Sequence, residues 1–355
     1  MRIAFILSSA GNFGPFIVAR DIIDGIKGKV DQIDIFYLKQ TEQPLDFSAD
    51  SIKKIDFFDK IDLSTYDIIH SHGFLADAYV YYRGGGISGR TVSTMHQNIK
   101  PDYSMNYNPI IGSVLEKIWC FLLRRTDKIV CLSNDMVSYY SKIFNDKSLT
   151  YIHNGISPLP HEKTLENDQM SIIKSLRIDH VVLGVSARLI FRKGIDIIID
   201  AINLSSNKKI ILLIIGDGEK KEELIAQAKV LDVIDRCFFV GYQKDVIPYY
   251  ELMDFYIMSS RSEAFGLCIL EAASLKIPVI CCDLPIYREL FGDTDVIRFE
   301  VGSSMSLSNA INIAIPQRNQ LSLNIYKKYL DNFTLQIMAD RYLALYNRLI
   351  GTSKI

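Results

Sequence analysis

Short apolar runs rich in Ile and Val alternate with segments of helical period along most of the chain. Ile3–Leu7 is followed by the helix-period stretch Phe16–Ile26, then by the run Ile33–Leu38. Asp67–His70, Thr91–Met95 and Lys128–Leu132 continue the series, with a helix predicted over Ile110–Leu123. The runs are continuously apolar rather than alternating, as parallel strands covered on both faces require. A βαβ series of this kind predicts a doubly wound α/β sheet.

The series breaks at Ser157–Gln169, where Pro158 and Pro160 precede mostly polar residues, and then restarts. Val181–Val185, Lys209–Ile215, Cys237–Val240, Phe255–Met258 and Val279–Cys281 read as strands. Gly194–Leu204, Glu219–Leu231 and Gly266–Leu275 read as the helices between them. The expected organisation is therefore a domain over residues 1–157, a linker over 158–169, and a second domain over 170–333. A closing helix over 334–355 is expected to pack back on the first domain, with Ile337, Met338, Tyr342, Leu345, Tyr346 and Leu349 on one stripe. Two such units place a cleft between facing strand ends, where both can reach one ligand.

The length of 355 residues fits two domains at roughly 150 residues each. Lys+Arg is 40 against Asp+Glu 41, and neither half carries a basic field, so no nucleic-acid partner is expected. None of the six cysteines forms a CxxC pair, which points to a reducing, cytoplasmic setting. The apolar start at Arg2–Leu7 is too short for a secretion signal, and no run is long enough to span a membrane.

Candidate chemistry gathers at the predicted strand ends. In Ser259–Asp283 a strand runs through Phe265-Gly266 into a helix, whose free amides suit a phosphate. Gly266 lets an anion approach the backbone, Glu263 precedes the helix, and Glu271 inside it suits a vicinal diol. A plain βα loop with surface glutamates fits the same letters. In Gly184–Asp196, Arg188 and Lys193 follow a strand end and suit a diphosphate. At roughly 4 Å and an effective dielectric of about 20, each contact carries about 4 kcal/mol of gross attraction. Arg192 reads as a solvated neighbour with no role. Gly216 and Gly218 of "IIGDGE" make a tight turn, with ligand contact equally open.

In the first half, Gly11 and Gly14 sit in the loop after the first strand. His70 and His72 share one face of a strand end, and His96 ends the next strand. A metal there lacks a third ligand with sequence support, so hydrogen-bonding roles are expected. Gly84–Gly89 matches GxGxxG by letters but follows a helix and precedes a strand, so it reads as a loop. Asp293-Thr294-Asp295 matches a metal–diphosphate pattern but sits in a late turn.

Together these stretches resemble the retaining GT-B glycosyltransferases of family 4, over nearly the whole chain. "ARLIFRKGID" is similar to the family's Arg-x4-Lys segment and "EAFGLCILE" to its Glu-x7-Glu segment. The resemblance implies two Rossmann-like domains facing a cleft, the first binding the acceptor and the second the nucleotide-sugar. Arg188 and Lys193 would hold the donor diphosphate, and Glu263 would face the donor sugar. The amides of Phe265, Gly266 and Leu267 would reach sugar or phosphate, and Glu271 would bind the ribose. Gly14 and Gly216 match loops near the donor, and His96 matches the histidine beside the reacting sugar.

The implied reaction transfers a hexose or N-acetylhexosamine, with retention and without metal or other cofactor. It runs from a nucleotide-diphosphate sugar, taken as a UDP-sugar, to a glycan or lipid-linked acceptor in cell-surface polysaccharide synthesis. Lys276 stands where the family usually has glycine, so a strained or altered helix end is expected there; Glu289 is kept without its usual glycine pair. A nucleotide-sugar epimerase, a phosphorylase-like enzyme and a non-catalytic partner subunit are the rival readings. "EKIWCFLLRR" at Glu116–Arg125 suits either a peripheral membrane surface or a core helix with a basic end, the latter preferred.

Overall fold

A computed structural model describes residues 1–41, 44–144, 148–159 and 168–351. The chain divides into two units, Met1–Ser157 with Phe333–Ile355, and Pro158–Asn332. The greater part of the expected linker, residues 160–167, lies outside the described residues, as do 352–355 of the closing segment. The linker's last two positions need correction: a helix already begins at Asp168.

The first unit runs β1 (Arg2–Ser9), α1 (Gly14–Ile26), β2 (Gln32–Lys39), β3 (Ser51–Lys54), β4 (Ile68–His72) and α2 (Phe74–Arg83). It continues through β5 (Arg90–Thr94), α3 (Ile99–Asn106), α4 (Pro109–Leu123), β6 (Lys128–Cys131), α5 (Asn134–Tyr140) and β7 (Leu149–Tyr151). Its seven strands are all parallel, in the order β3-β2-β1-β4-β5-β6-β7. Ile3–Leu7 of β1 and the whole of β4 are buried, as their unbroken apolar runs require.

The second unit opens with α6 (Asp168–Leu176), β8 (Val181–Ser186), α7 (Ile195–Leu204), β9 (Ile210–Ile215), α8 (Lys221–Val230) and β10 (Cys237–Gly241). Then come α9 (Ile247–Tyr250), β11 (Phe255–Met258), α10 (Leu267–Ser274), β12 (Val279–Cys282), α11 (Pro285–Leu290), β13 (Ile297–Phe299), α12 (Ser304–Ala314) and α13 (Arg318–Asn332). Its parallel order is β10-β9-β8-β11-β12-β13. In each unit the first strand lies between the second and the fourth, so the winding reverses beside it. The crevice outside the carboxyl ends of those two strands is where doubly wound sheets bind ligands.

The chain closes with α14 (Leu335–Gly351), which belongs to the first unit and packs on α1. A Cβ at Gly25 of α1 would come within 2.4 Å of the Ala339 Cβ, so only glycine admits this close helix approach. Ile156 N–H donates to the Phe333 carbonyl and Leu335 N–H to the Ile156 carbonyl, tying this helix to the strand side.

One expectation changes. α4 is not a core helix alone. Trp119, Cys120, Leu122 and Leu123 are buried, but Ile110, Ile111, Val114, Ile118 and Phe121 form an exposed face. The altered end of α10 expected at Lys276 is a Schellman closure: Lys276 N–H reaches the Ala273 carbonyl and Ile277 N–H the Ala272 carbonyl. That closure needs the left-handed conformation usually given to glycine, and Lys276 adopts it at φ 61°. Its ammonium lies 4.7 Å from the Tyr326 ring centre. Among the described residues no helix is long and apolar enough to cross a membrane.

Candidate active site

The loop after β8 carries Arg188, Arg192 and Lys193, and the loop after β11 carries Ser260 to Gly266. β8 and β11 are neighbours, so the sheet brings both loops to the winding reversal of the second unit. Gly194 must be glycine: at φ 67° its Cβ would lie 2.2 Å from the Ser259 carbonyl oxygen. This close approach seats the two loops against each other. Ser259 Oγ adds a hydrogen bond to the Lys193 carbonyl at 2.8 Å. Arg261 also bridges the loops, pairing with Asp196 at 2.5 Å and lying 4.0 Å from the Phe191 ring centre.

Glu263 stands at the centre. Lys193 Nζ lies 2.5 Å from its Oε2, Ser260 Oγ donates to the same oxygen at 3.3 Å, and Arg192 reaches Oε1 at 3.5 Å. Burial alone would push the Glu263 carboxyl up. Lys193 and then Arg192 overcome that and hold it below the usual carboxylate range. Arg192, read from sequence as a solvated neighbour, is therefore a partner of Glu263, and it also donates to the Ser262 carbonyl at 2.9 Å. The available signal was its place beside Lys193 in one 3₁₀ turn, Phe191–Lys193.

Arg188 is not drawn into this cluster: it is exposed on the same loop. Counted over the two loops, Arg188, Arg192 and Lys193 against the Glu263 carboxylate leave two positive charges, matching the charge of an esterified diphosphate. Gly266, at φ 88°, opens α10. No group among the described residues takes the Gly266 or Leu267 amide, so two donors are free at the positive end of the helix. Phe265 buries its ring below them. One turn on, Glu271 accepts from the Tyr250 hydroxyl at 2.8 Å, and Tyr250 stacks on Tyr256. Sequence reasoning missed both tyrosines.

Gly216 serves the fold whatever its ligand role, since its Cβ would meet the Ala187 carbonyl oxygen at 1.9 Å. Gly14 differs: a Cβ there would meet nothing within 4 Å. No group among the described residues requires a glycine at the start of α1.

The first unit's reversal lies between β1 and β4, where Gly11 and Gly14 follow β1 and His70 and His72 end β4. His96 follows β5, with Nε2 2.9 Å from Nδ1 of His72. His70 bonds Tyr346 at 2.7 Å and Thr94 at 2.8 Å. Burial pushes His70 and His96 down to about 3, and His72 well below the usual histidine range. No cluster among the described residues could hold a metal ion.

Comparison with known proteins decides the family. Residues 168–329 match the glycosyl transferases group 1 and residues 33–158 match glycosyltransferase family 4. The O-antigen biosynthesis glycosyltransferase WclY of Escherichia coli is 31% identical over 98% of this chain and 99% of its own. This chain belongs to the group 1, family 4 glycosyltransferases.

For this glycosyltransferase, the amylovoran biosynthesis glycosyltransferase AmsD of Erwinia amylovora is a more distant relative. It is 30% identical over 47% of this chain and 46% of its own. Among solved structures, the Anabaena protein HepE in complex with UDP has the same fold, with a TM-score of 0.81. It has 18% identity and covers 98% of this chain and all (100%) of that one. HepE was also solved with UDP-glucose, at a TM-score of 0.79 and 19% identity over 98% and 100% of the two chains.

Proposed function

We propose that this glycosyltransferase moves a hexose or N-acetylhexosamine from a UDP-sugar to a glycan or lipid-linked acceptor, with retention at the anomeric carbon. The pathway is bacterial surface polysaccharide assembly on the cytoplasmic side. The observation that carries the reading is the pairing of Lys193, Arg192 and Glu263 beside the free amides of α10 at one winding reversal. The relatives named for O-antigen and amylovoran synthesis, and HepE with UDP and UDP-glucose, favour this donor and pathway.

The donor diphosphate takes Arg188, Lys193 and the amides of Gly266 and Leu267, with the Phe265 amide beside them. Glu263 accepts from sugar hydroxyls, and Glu271 accepts from the ribose diol. Gly14 and Gly216 give the donor room at two loops, and His96 meets the sugar. As the bond from C1 to the diphosphate oxygen breaks, the acceptor oxygen bonds to C1 on the same face. The acceptor proton passes to the departing phosphate, giving the glycoside and UDP. Both Glu263 oxygens are already engaged by cations, which disfavours it as a nucleophile. Side-chain cations supply the neutralising charge, so no metal is required.

UDP release is expected from at least one UDP-sugar with EDTA present. Arg188→Ala lowers turnover by about tenfold or more, with thermal stability kept because the side chain is exposed. Full loss of activity in EDTA, or unchanged turnover in Arg188→Ala, contradicts the assignment.

The exposed apolar face of α4, ending in exposed Arg124 and Arg125, suits peripheral contact with an anionic membrane carrying a lipid-linked acceptor. Co-sedimentation with anionic vesicles is expected, and is expected to fall in Ile118→Ser/Phe121→Ser. Equal recovery with and without vesicles refutes it.

A further inference from the structure

The histidine pair at the strand ends of the first unit carries a consequence for the sugar contact. His72 is fully buried at the end of β4. Its Nδ1 faces Nε2 of His96 at 2.9 Å, while its own Nε2 is buried without a hydrogen-bond partner. His70 gives it no partner. The two nitrogens of His70 are taken by Tyr346 and Thr94, and Thr94 bonds Tyr342 at 3.0 Å. The rings of His70 and Phe5 flank His72, with centroids 4.3 and 6.1 Å away.

A single hydrogen lies between the facing nitrogens. If His96 supplied it, His72 would carry its hydrogen on Nε2, a buried N–H with no acceptor. If His72 supplies it, His72 keeps only an unused lone pair there. Orphaned N–H groups are the rarer and costlier defect of protein interiors. Both rings stay neutral through the physiological range, because burial holds their protonation far below it.

We propose that His72 donates from Nδ1 to Nε2 of His96 and so fixes His96 as the Nδ1–H tautomer, a neutral donor for an oxygen of the bound sugar. No group among the described residues takes the His96 Nδ1. His72 is thus a positioning residue: it acts on the sugar only through His96. The sugar contact rests on the transfer reading above, whereas the tautomer stands without it.

Two-bond nitrogen–proton spectra of the ligand-free protein with isotope-labelled histidine read the tautomer directly. The expected result is a protonated Nδ1 and a bare Nε2 on His96, unchanged across neutral pH. Asparagine places an N–H near the position of His72 Nδ1, so His72→Asn is expected to keep that tautomer. His72→Phe is expected to lose it.

Turnover should fall by roughly tenfold in His72→Phe, a hydrogen bond's worth, and recover most of that loss in His72→Asn. A protonated Nε2 on His96 in the wild-type protein overturns the proposal. So does an unchanged tautomer in His72→Phe. If the tautomer is as expected but His96→Ala retains full turnover, the sugar contact fails and the tautomer assignment survives.

Discussion

Replacing Lys193 by methionine isolates the charge balance of the candidate site. Methionine keeps the length of the side chain and removes the ammonium 2.5 Å from Glu263. The Glu263 side chain is only 11% exposed, and Arg192 at 3.5 Å and Ser260 at 3.3 Å would remain. Removing one partner of a buried pair costs about 3–5 kcal/mol, and the surviving Arg192 reduces that to about 2–3 kcal/mol. For a unit of this size the loss lowers Tm by roughly 4–12 °C.

The pH dependence also changes sign. In the wild-type protein the lowered Glu263 carboxyl contributes stability that is present above its unfolded value and lost as pH falls through the folded one. In Lys193→Met, burial prevails and the folded value rises above the unfolded one. The variant then regains stability as pH falls from neutrality. The double variant Lys193→Met/Glu263→Gln should recover most of the lost Tm and none of the turnover. Calorimetry over a pH series, with UDP release measured in parallel, tests both halves. A single variant within about 0.5 kcal/mol of wild type, or a double variant no more stable than the single, refutes the reasoning.

Gly14→Ala should leave Tm unchanged or slightly raised and lower turnover by about tenfold or more, since the added methyl meets nothing among the described residues but would, on the proposed reading, meet the donor. Gly216→Ala should instead lower Tm by several degrees, because its methyl collides with the Ala187 carbonyl; a thermal-shift comparison of the two checks the contrast. Burial, opposed by hydrogen bonds from Ser71, Trp119 and Ser93, pushes the Asp77 carboxyl up to about 6. A raised acid stabilises below its unfolded value near 3.8 and loses that contribution as pH rises toward 6. The stability of wild type relative to Asp77→Asn should therefore fall over that window in denaturant titrations.

The strands legible in the sequence were the long central ones, Arg2–Ser9 and Ile210–Ile215 among them, because burial on both faces leaves an unbroken apolar run. β3, β7 and β13 were missed: they are three or four residues long, sit at or near sheet edges, and owe their form to a neighbour. The motif of the candidate site stands out in the sequence because its glycines, cations and glutamates are local. The clamp on Glu263 was not, since Arg192 and Glu263 are 71 positions apart and meet only through strand order. The pairing of His72 with His96, across 24 positions, was hidden for the same reason.

The return of α14 makes the first unit discontinuous in the gene's order: its sheet is written at the front and its final helix at the back. Tyr342 and Tyr346, which complete the bonding around His70, arrive only with that last segment. A fragment ending at Ser157 would therefore expose α1 and take from His70 Nδ1 its Tyr346 partner. A chimera that exchanges the second unit between relatives has to graft the middle, residues 158–332, and keep residues 1–157 and 333–355 from one parent.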